Sequence, residues 1–391
     1  MMSPRALLLP ALSSIALQAC VEPPRTIDPP IAGEGEGEGE GEGEGEGEGE
    51  GEGEAVPACT SVTGTGAVTF THDEGATLAT TTPLAGTIYT YGLVALGGGN
   101  LLAEHGGTLL RSRDHGCTWT AIGAAPTSPM RMAGGDGRAY VWADNYTDLA
   151  RIDDDDTITV LTPPPNGVLK GMNVNDDGSI VVAMDATLHK STDFGATFDR
   201  GTTPAFTGND AGLVYRAFFG GKDGDHVVFG AASVGARVTF DGGQTWTPST
   251  GLSTTGQQRA NIFEGVFSPL DDNVIWAAGV DIEESLGENQ NRSKHIYRST
   301  DGGRSFVVVA TESPELVIIN GPMMAASPVD TDVFYFVFGT YYDGYGTDVY
   351  RLTSSGAVTK THNTNHDISS IVFSPDADHT MYFGLVHEVI D

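Results

Sequence analysis

Basic residues are scarce in this sequence. Lys and Arg number 20 against 52 Asp and Glu, a formal net charge of −32 over 391 residues. A surface this acidic repels phosphate backbones and argues against nucleic acid as a partner. Cysteine is rarer still, with three residues. No Cys-x-x-Cys pair is present to hold zinc or to exchange disulfides. A Ser-His-Asp elbow, a Walker phosphate loop and a His-Glu-x-x-His pair are also absent, so no cofactor or catalytic metal follows from a motif. Long apolar stretches at 3.6-residue spacing are missing too, which argues against a helical core.

What is present reads as a turn-rich β protein. Gly is abundant, at 53 residues, and short apolar runs recur between Gly, Asp and Ser clusters. Residues 33–54 are a strict Gly-Glu alternation, eleven of each. With no apolar residue this tract builds no core, and its charges repel one another. It reads as an extended tether, about 75 Å at full stretch and about 26 Å as a random coil. Residues 55–391 remain for the folded part, with 39 acids against 18 bases. Closed all-β folds reach this length as one unit. Their acidity reads first as a means of staying soluble.

The beginning of the sequence reads as an export signal. Arg5 supplies a positive lead, and Ala6 to Leu17 form an apolar run too short to span a bilayer. Leu17-Gln18-Ala19-Cys20 resembles the bacterial lipobox, although Gln18 is unusual at its position. The resemblance implies a signal peptide over 1–19, a lipidated Cys20 and a lipid-anchored linker over 20–54. The membrane would be met through that lipid alone, at the outer membrane or cell surface of a bacterial envelope. An ordinary signal peptide cut near Ala19 is the alternative. With Cys20 consumed, Cys59 and Cys117 form an even pair in a disulfide-permissive compartment. The expectation is a Cys59–Cys117 disulfide, with two separate buried thiols as the alternative.

Four segments align without gaps. They are Ser112-Arg-Asp114-His-Gly116-Cys-Thr-Trp119, Ser191-Thr-Asp193-Phe-Gly195-Ala-Thr-Phe198, Thr239-Phe-Asp241-Gly-Gly243-Gln-Thr-Trp246 and Ser299-Thr-Asp301-Gly-Gly303-Arg-Ser-Phe306. A fifth, Thr71 to Leu78 around Asp73, lacks the aromatic. Weaker frames start near Ile152 and Leu352. The hydroxyl and carboxylate suit bonding to turn amides, Gly relaxes the backbone, and the aromatic anchors the next strand. The pattern resembles the Asp box, or BNR repeat, of bacterial sialidases and sortilin-type receptors. That resemblance implies a β-propeller. Frame starts 39 to 60 residues apart suit four-stranded blades.

Strand pairs precede the boxes, as at Ile262–Pro269 with Val274–Ala278 and at Met323–Pro328 with Val333–Phe338. Ile368–Pro375 with Thr380–Val386 has no box after it, and Ala67–Thr81 carries a box with no pair before it. The expectation is an all-β, seven-bladed propeller closed by N- and C-terminal strands sharing one blade. Six blades with ragged ends is the alternative.

A catalytic site is harder to find. Sialidases resemble this protein in their boxes, but the early Arg-Ile-Pro motif of that family is missing. Arg131, Arg216 and Arg292 are the Arg placed where a substrate face could use them. The basic residues leading into the boxes, Arg111, Arg151, Lys190, Arg298 and Arg351, read as strand residues with solvated heads. Asn173-x-Asn175-x-Asp177-Gly178 mimics the start of a calcium loop but has Met184 at the twelfth position, so a hairpin turn explains it better. His362 and His366 stand four apart in a loop-like stretch, where helical metal spacing does not apply.

Two insertions stand out, Asp281–His295 and Thr340–Asp348. Tyr341, Tyr342 and Tyr345 suit recognition of glycan or peptide, with a floppy insertion as the plain alternative. No catalytic residue is assigned. The reading is a monomeric, envelope-tethered, non-enzymatic lipoprotein that binds an extracellular protein or glycan. A glycoside hydrolase acting on an extracellular polysaccharide is the alternative. Two carboxylates at glycosidase separation in a central pocket would favour the latter.

Overall fold

A computed structural model describes residues 58–386, apart from 85, 200, 254–258, 288–291, 341, 343 and 365. Cys20, the Gly-Glu tract and Tyr341 lie outside the described residues. Seven antiparallel sheets form a ring.

Blade 1 runs outward through Gly92–Gly97, Asn100–His105, Thr108–Ser112 and Thr120–Ala124. Blade 2 is Arg131–Gly135, Arg138–Trp142, Leu149–Ile152 and Ile158–Val160. Blade 3 has three strands, Leu169–Val174, Ile180–Met184 and Thr187–Ser191. Blade 4 is Val214–Gly220, His226–Ala231, Gly235–Thr239 and Thr247–Pro248. Blade 5 is Ala260–Phe267, Ile275–Asp281, Lys294–Ser299 and Val307–Thr311. Blade 6 is Met324–Ala326, Val333–Phe338, Thr347–Thr353 and Val358–Asn363. Blade 7 joins Asp367–Phe373 and Met381–Val386 to the much earlier strand Val68–Thr71. Val68 pairs with Gly384 and Thr71 with Met381, so the ring has seven blades and six is excluded.

Burial explains the strand compositions. The second strands of blades 3, 6 and 7, Ile180–Met184, Val333–Phe338 and Met381–Val386, are buried throughout. Each is covered on both faces by neighbouring blades, so its apolar run is continuous rather than alternating. The outermost strands are wetter, and Val358–Asn363 is mostly exposed.

The eight-residue turns follow the third strand of a blade, on one face of the ring, and lead into the fourth strand where the blade has one. Five share one bonding scheme. The leading hydroxyl of Thr71, Ser112, Ser191, Thr239 or Ser299 donates to the Asp carboxylate two residues on. It also accepts the amide of Gly75, Gly116, Gly195, Gly243 or Gly303. The Asp then accepts both the amide and the hydroxyl of the residue four further on, as Asp114 does from Thr118 at 2.8 and 2.6 Å. Trp119 and Phe306 are buried, while Phe198 and Trp246 are half-buried against their cores.

Four of the five basic lead-ins, Arg111, Arg151, Arg298 and Arg351, reach into the next blade instead of standing free in solvent, which corrects the sequence expectation for them. Arg111 is 2% exposed and donates to the Asp153 carbonyl in blade 2. Arg151 reaches the Phe194 carbonyl on the turn of blade 3. Arg298 donates to Asp332 in blade 6, and Arg351 lies 3.3 Å from Glu74 on the turn of blade 7. Each spans a blade boundary and satisfies a carbonyl or carboxylate there.

Cys59 and Cys117 are disulfide-bonded. The segment carrying Cys59 bridges Ser61 to Thr80 and Thr63 to Thr118, lying between the turns of blades 7 and 1.

Candidate functional site

The seven innermost strands surround a central channel. Strand direction fixes which loops open on each face. Connections from one blade to the next, and loops between second and third strands, lie opposite the eight-residue turns. On that loop-bearing face a cavity of about 660 Å³ enters the channel. Its size is that of a small-molecule or peptide site.

The cavity draws on five blades. Tyr91 and Leu93 come from blade 1, and Met130, Arg131, Asp144 and Tyr146 from blade 2. Glu264 and Val266 come from blade 5, Met323 and Met324 from the entry to blade 6, and Ile371 and Val372 from blade 7.

Register shifts help to aim the polar groups. The innermost strands of blades 3, 4, 5 and 7 each slip near their start, between Leu169 and Gly171, Val214 and Arg216, Ile262 and Glu264, and Ile368 and Ser370. A bulge bends a strand and redirects side chains. Here the shifted segments carry Lys170, Arg216 and Glu264 into one charged cluster with Arg131 and Asp144.

Arg216 holds both carboxylates, at 2.9 Å from Asp144 and 3.3 Å from Glu264. Arg131 stands farther off, at 3.7 Å from Asp144 and 3.9 Å from Glu264. Blades 2 and 5 are not neighbours, so the contact to Glu264 crosses the channel. Tyr91 stacks on Arg131 at 5.9 Å. Among the described residues Arg131 donates no hydrogen bond, and a third of its side chain faces the cavity. Burial pulls its guanidinium down to about 10, the neighbouring Arg216 acts in the same sense, and Glu264 and Asp144 oppose them. It is therefore charged at neutral pH. Lys170 donates to Asn145 at 2.5 Å, and burial lowers its pKa against the pull of Asp144 and Asp185.

Tyr146 lines the cavity, and other loops on the same face carry exposed apolar and aromatic groups. Tyr146 is 65% exposed. Leu286 is 70% exposed on a one-turn helix, Ile282–Leu286, within the first insertion. Tyr342, from the second insertion, is 46% exposed and packs 5.0 Å from Phe338.

The residues singled out from sequence fall into separate places. Arg131 and Arg216 meet in the channel. Arg292 is exposed in the first insertion and joins no ion pair among the described residues. Tyr345 turns inward: its hydroxyl donates to the buried Asp348 at 2.8 Å, and its ring packs edge-on against Phe338 and His362. It therefore anchors the insertion, and Tyr342 is the Tyr of that loop shown to be exposed. His362 bonds Asp348 instead of meeting His366. Asn173, Asn175 and Asp177 bond within their own hairpin and to Ser179. Among the described residues no three His, Cys, Asp or Glu side chains gather to hold a metal.

Sequence reasoning missed Lys170 and Glu264, because single-residue bulges leave no composition mark on their own strand, and Asp144, which reads as an ordinary loop Asp after Trp142. The partner strands do carry a trace. Gly230, Gly279 and Gly384 face the shifts, and each would press a Cβ onto backbone oxygen.

No protein-family model matches the protein. Solved structures resembling it include YCF48 bound to D1 peptide, at TM-score 0.53 and 14% identity over 85% of this chain and 99% of that one. The GH74 xyloglucanase of Xanthomonas campestris gives 0.54 and 16%, over 77% of this chain and 51% of the enzyme. Virginiamycin B lyase of Staphylococcus aureus gives 0.51 and 16%, over 76% and 95%. At such identity these likenesses show the fold alone. A curated relative is far more similar: the dispase autolysis-inducing protein of Streptomyces mobaraensis is 43% identical over 336 residues, covering 84% of this chain and 89% of that protein. The chain thus belongs to the family of the dispase autolysis-inducing protein.

Proposed function

We propose that this protein is a non-enzymatic binding propeller that engages another protein on its loop-bearing face and acts there as a monomer. One observation carries the reading. Both carboxylates in the channel are ion-paired to Arg216, at 2.9 and 3.3 Å, so they belong to the channel's own charge cluster instead of standing as an open pair across a sugar-binding cleft. The relative's name, which refers to inducing the autolysis of dispase, supports a protein as the target. Tyr146, Leu286 and Tyr342 supply exposed apolar and aromatic surface on this face, suited to binding hot spots. The eight-residue turns are Asp boxes in this reading and serve the scaffold. The address is the bacterial envelope, outer membrane or cell surface, with Cys20 lipidated and residues 20–54 as the tether.

The test mixes the full-length protein with purified dispase and follows complex formation and dispase self-cleavage. The expected result is a complex and faster fragmentation, with affinity reduced at least tenfold by Tyr146→Ala and Tyr342→Ala together. Absence of both effects would overturn the reading. The second reading, a glycoside hydrolase, is favoured by the presence of Asp144 and Glu264 in one cavity. Release of reducing ends from a polysaccharide, abolished by Glu264→Gln, would establish it instead.

A further inference from the structure

The channel holds a cation whose bonding is unfinished. A guanidinium carries five N–H donors in a planar fork. Arg131 spends none of them on a hydrogen bond among the described residues, and both of its carboxylate neighbours lie beyond hydrogen-bond distance, at 3.7 and 3.9 Å. Arg216 has already taken the short contact to Asp144. Tyr91 supports the Arg131 plane from one side. The cavity beyond it is walled on one side by Met130, Met323, Met324 and Val372, with Ser128 and Ser370 adding polar groups. The apolar side is, through its methionines, adaptable. A mixed wall of this kind ending at a guanidinium suits a short peptide segment that ends in, or carries, a carboxylate, with its side chains on the methionines and its amides on the polar groups.

We infer that the channel cavity receives a carboxylate-bearing peptide segment of the partner, with Arg131 as the carboxylate receptor and the methionine-rich wall as the seat for its apolar side chains. This rests on the protein-binding reading above and locates the point of engagement. The carboxylate comes from the partner's terminal carboxyl group or from an Asp or Glu side chain, and both present the same planar acceptor pair. Glu264 and Asp144 oppose the incoming charge, so affinity is set by the balance between them and the three cations Arg131, Arg216 and Lys170. Asp185, which acts on Lys170, adds to the opposition.

The experiment immobilises the full-length protein and measures by mass spectrometry which peptides it retains. The probes are a pool of tetrapeptides with apolar residues and a free terminal carboxylate, the same pool amidated, and an amidated pool with one internal Glu. A glucuronate oligosaccharide is run beside them. Retention of the free-acid or the Glu pool at least tenfold above the plain amidated pool supports the inference, and the pool retained identifies the source of the carboxylate. Arg131→Gln should remove that preference, and Arg131→Lys should restore part of it. Glu264→Gln should strengthen retention, an effect of opposite sign that a misfolded protein would not give. Arg113→Gln, on the opposite face, should change nothing. Equal retention of the amidated pool, no retention of any pool, indifference to Arg131→Gln, or retention of the glucuronate alone would each overturn the inference. If dispase still binds Arg131→Gln with unchanged affinity, the channel inference falls while the protein-binding reading stands. If dispase binds neither protein, the broader reading falls with it.

Discussion

Asp193 and Asp241 lie at the surface, yet both hold their carboxyls down to about 2. The cause is local: the hydroxyl and amide of Thr197 donate to Asp193, and those of Thr245 donate to Asp241, favouring the ionised form. An ordinary Asp titrates near 4 in an unfolded polypeptide. Stability from these two groups is therefore complete above about pH 4 and is lost as pH falls toward 2. Thermal melts between pH 7 and pH 2 should show a progressive fall in midpoint across that window. In Asp193→Asn the neutral-pH midpoint should drop and the acid decline should flatten. An unchanged slope would mean that the turn carboxylates do not govern acid unfolding. These residues were legible from sequence because all their partners lie within four positions. Arg131 and Glu264 were not legible as a pair, since their meeting depends on two strands 133 positions apart, from blades that do not adjoin.

At the scale of the strand, bulges and the glycines opposite them set how closely blades approach. Gly384 pairs with Ser370 at one such shift. A Cβ there would stand 2.2 Å from the Ser370 hydroxyl and 2.4 Å from the Thr90 carbonyl. The hydroxyl can rotate away, but the carbonyl belongs to the backbone entering blade 1. Thr90 is also bonded to blade 7, through Ser369, Ser370 and Leu385. Gly384→Ala should destabilise the protein by about 1–3 kcal/mol, the usual cost of overpacking. Urea unfolding measures it, and a neutral result would show that blades 7 and 1 can separate without cost. Strand periodicity and the repeated turns made the blades readable, including the sharing of the last by both parts of the sequence. Bulge positions were not readable, because one inserted residue shifts a register without altering composition.

For the whole molecule, closure rests on one early strand and one cross-link. The disulfide spans 58 residues between Cys59 and Cys117. Loop-closure entropy assigns a cross-link of that span about 4 kcal/mol. Cys59→Ser with Cys117→Ser should lower unfolding free energy by roughly that amount while leaving the ring intact, as read by denaturant unfolding and circular dichroism. Deleting residues 1–81 in a Cys117→Ser background should do more. It removes Val68–Thr71 and leaves the edge of Met381–Val386 unpaired, and such edges invite pairing between molecules. Size-exclusion chromatography should then show self-association, whereas a monodisperse monomer would mean that six complete blades and a partial seventh suffice. Because Val68 waits for Gly384, the strand Val68–Thr71 finds its mate only after about 300 further residues have been made. Closure of the ring therefore waits until both mates exist, and until then Val68–Thr71 is without the strand that pairs with it.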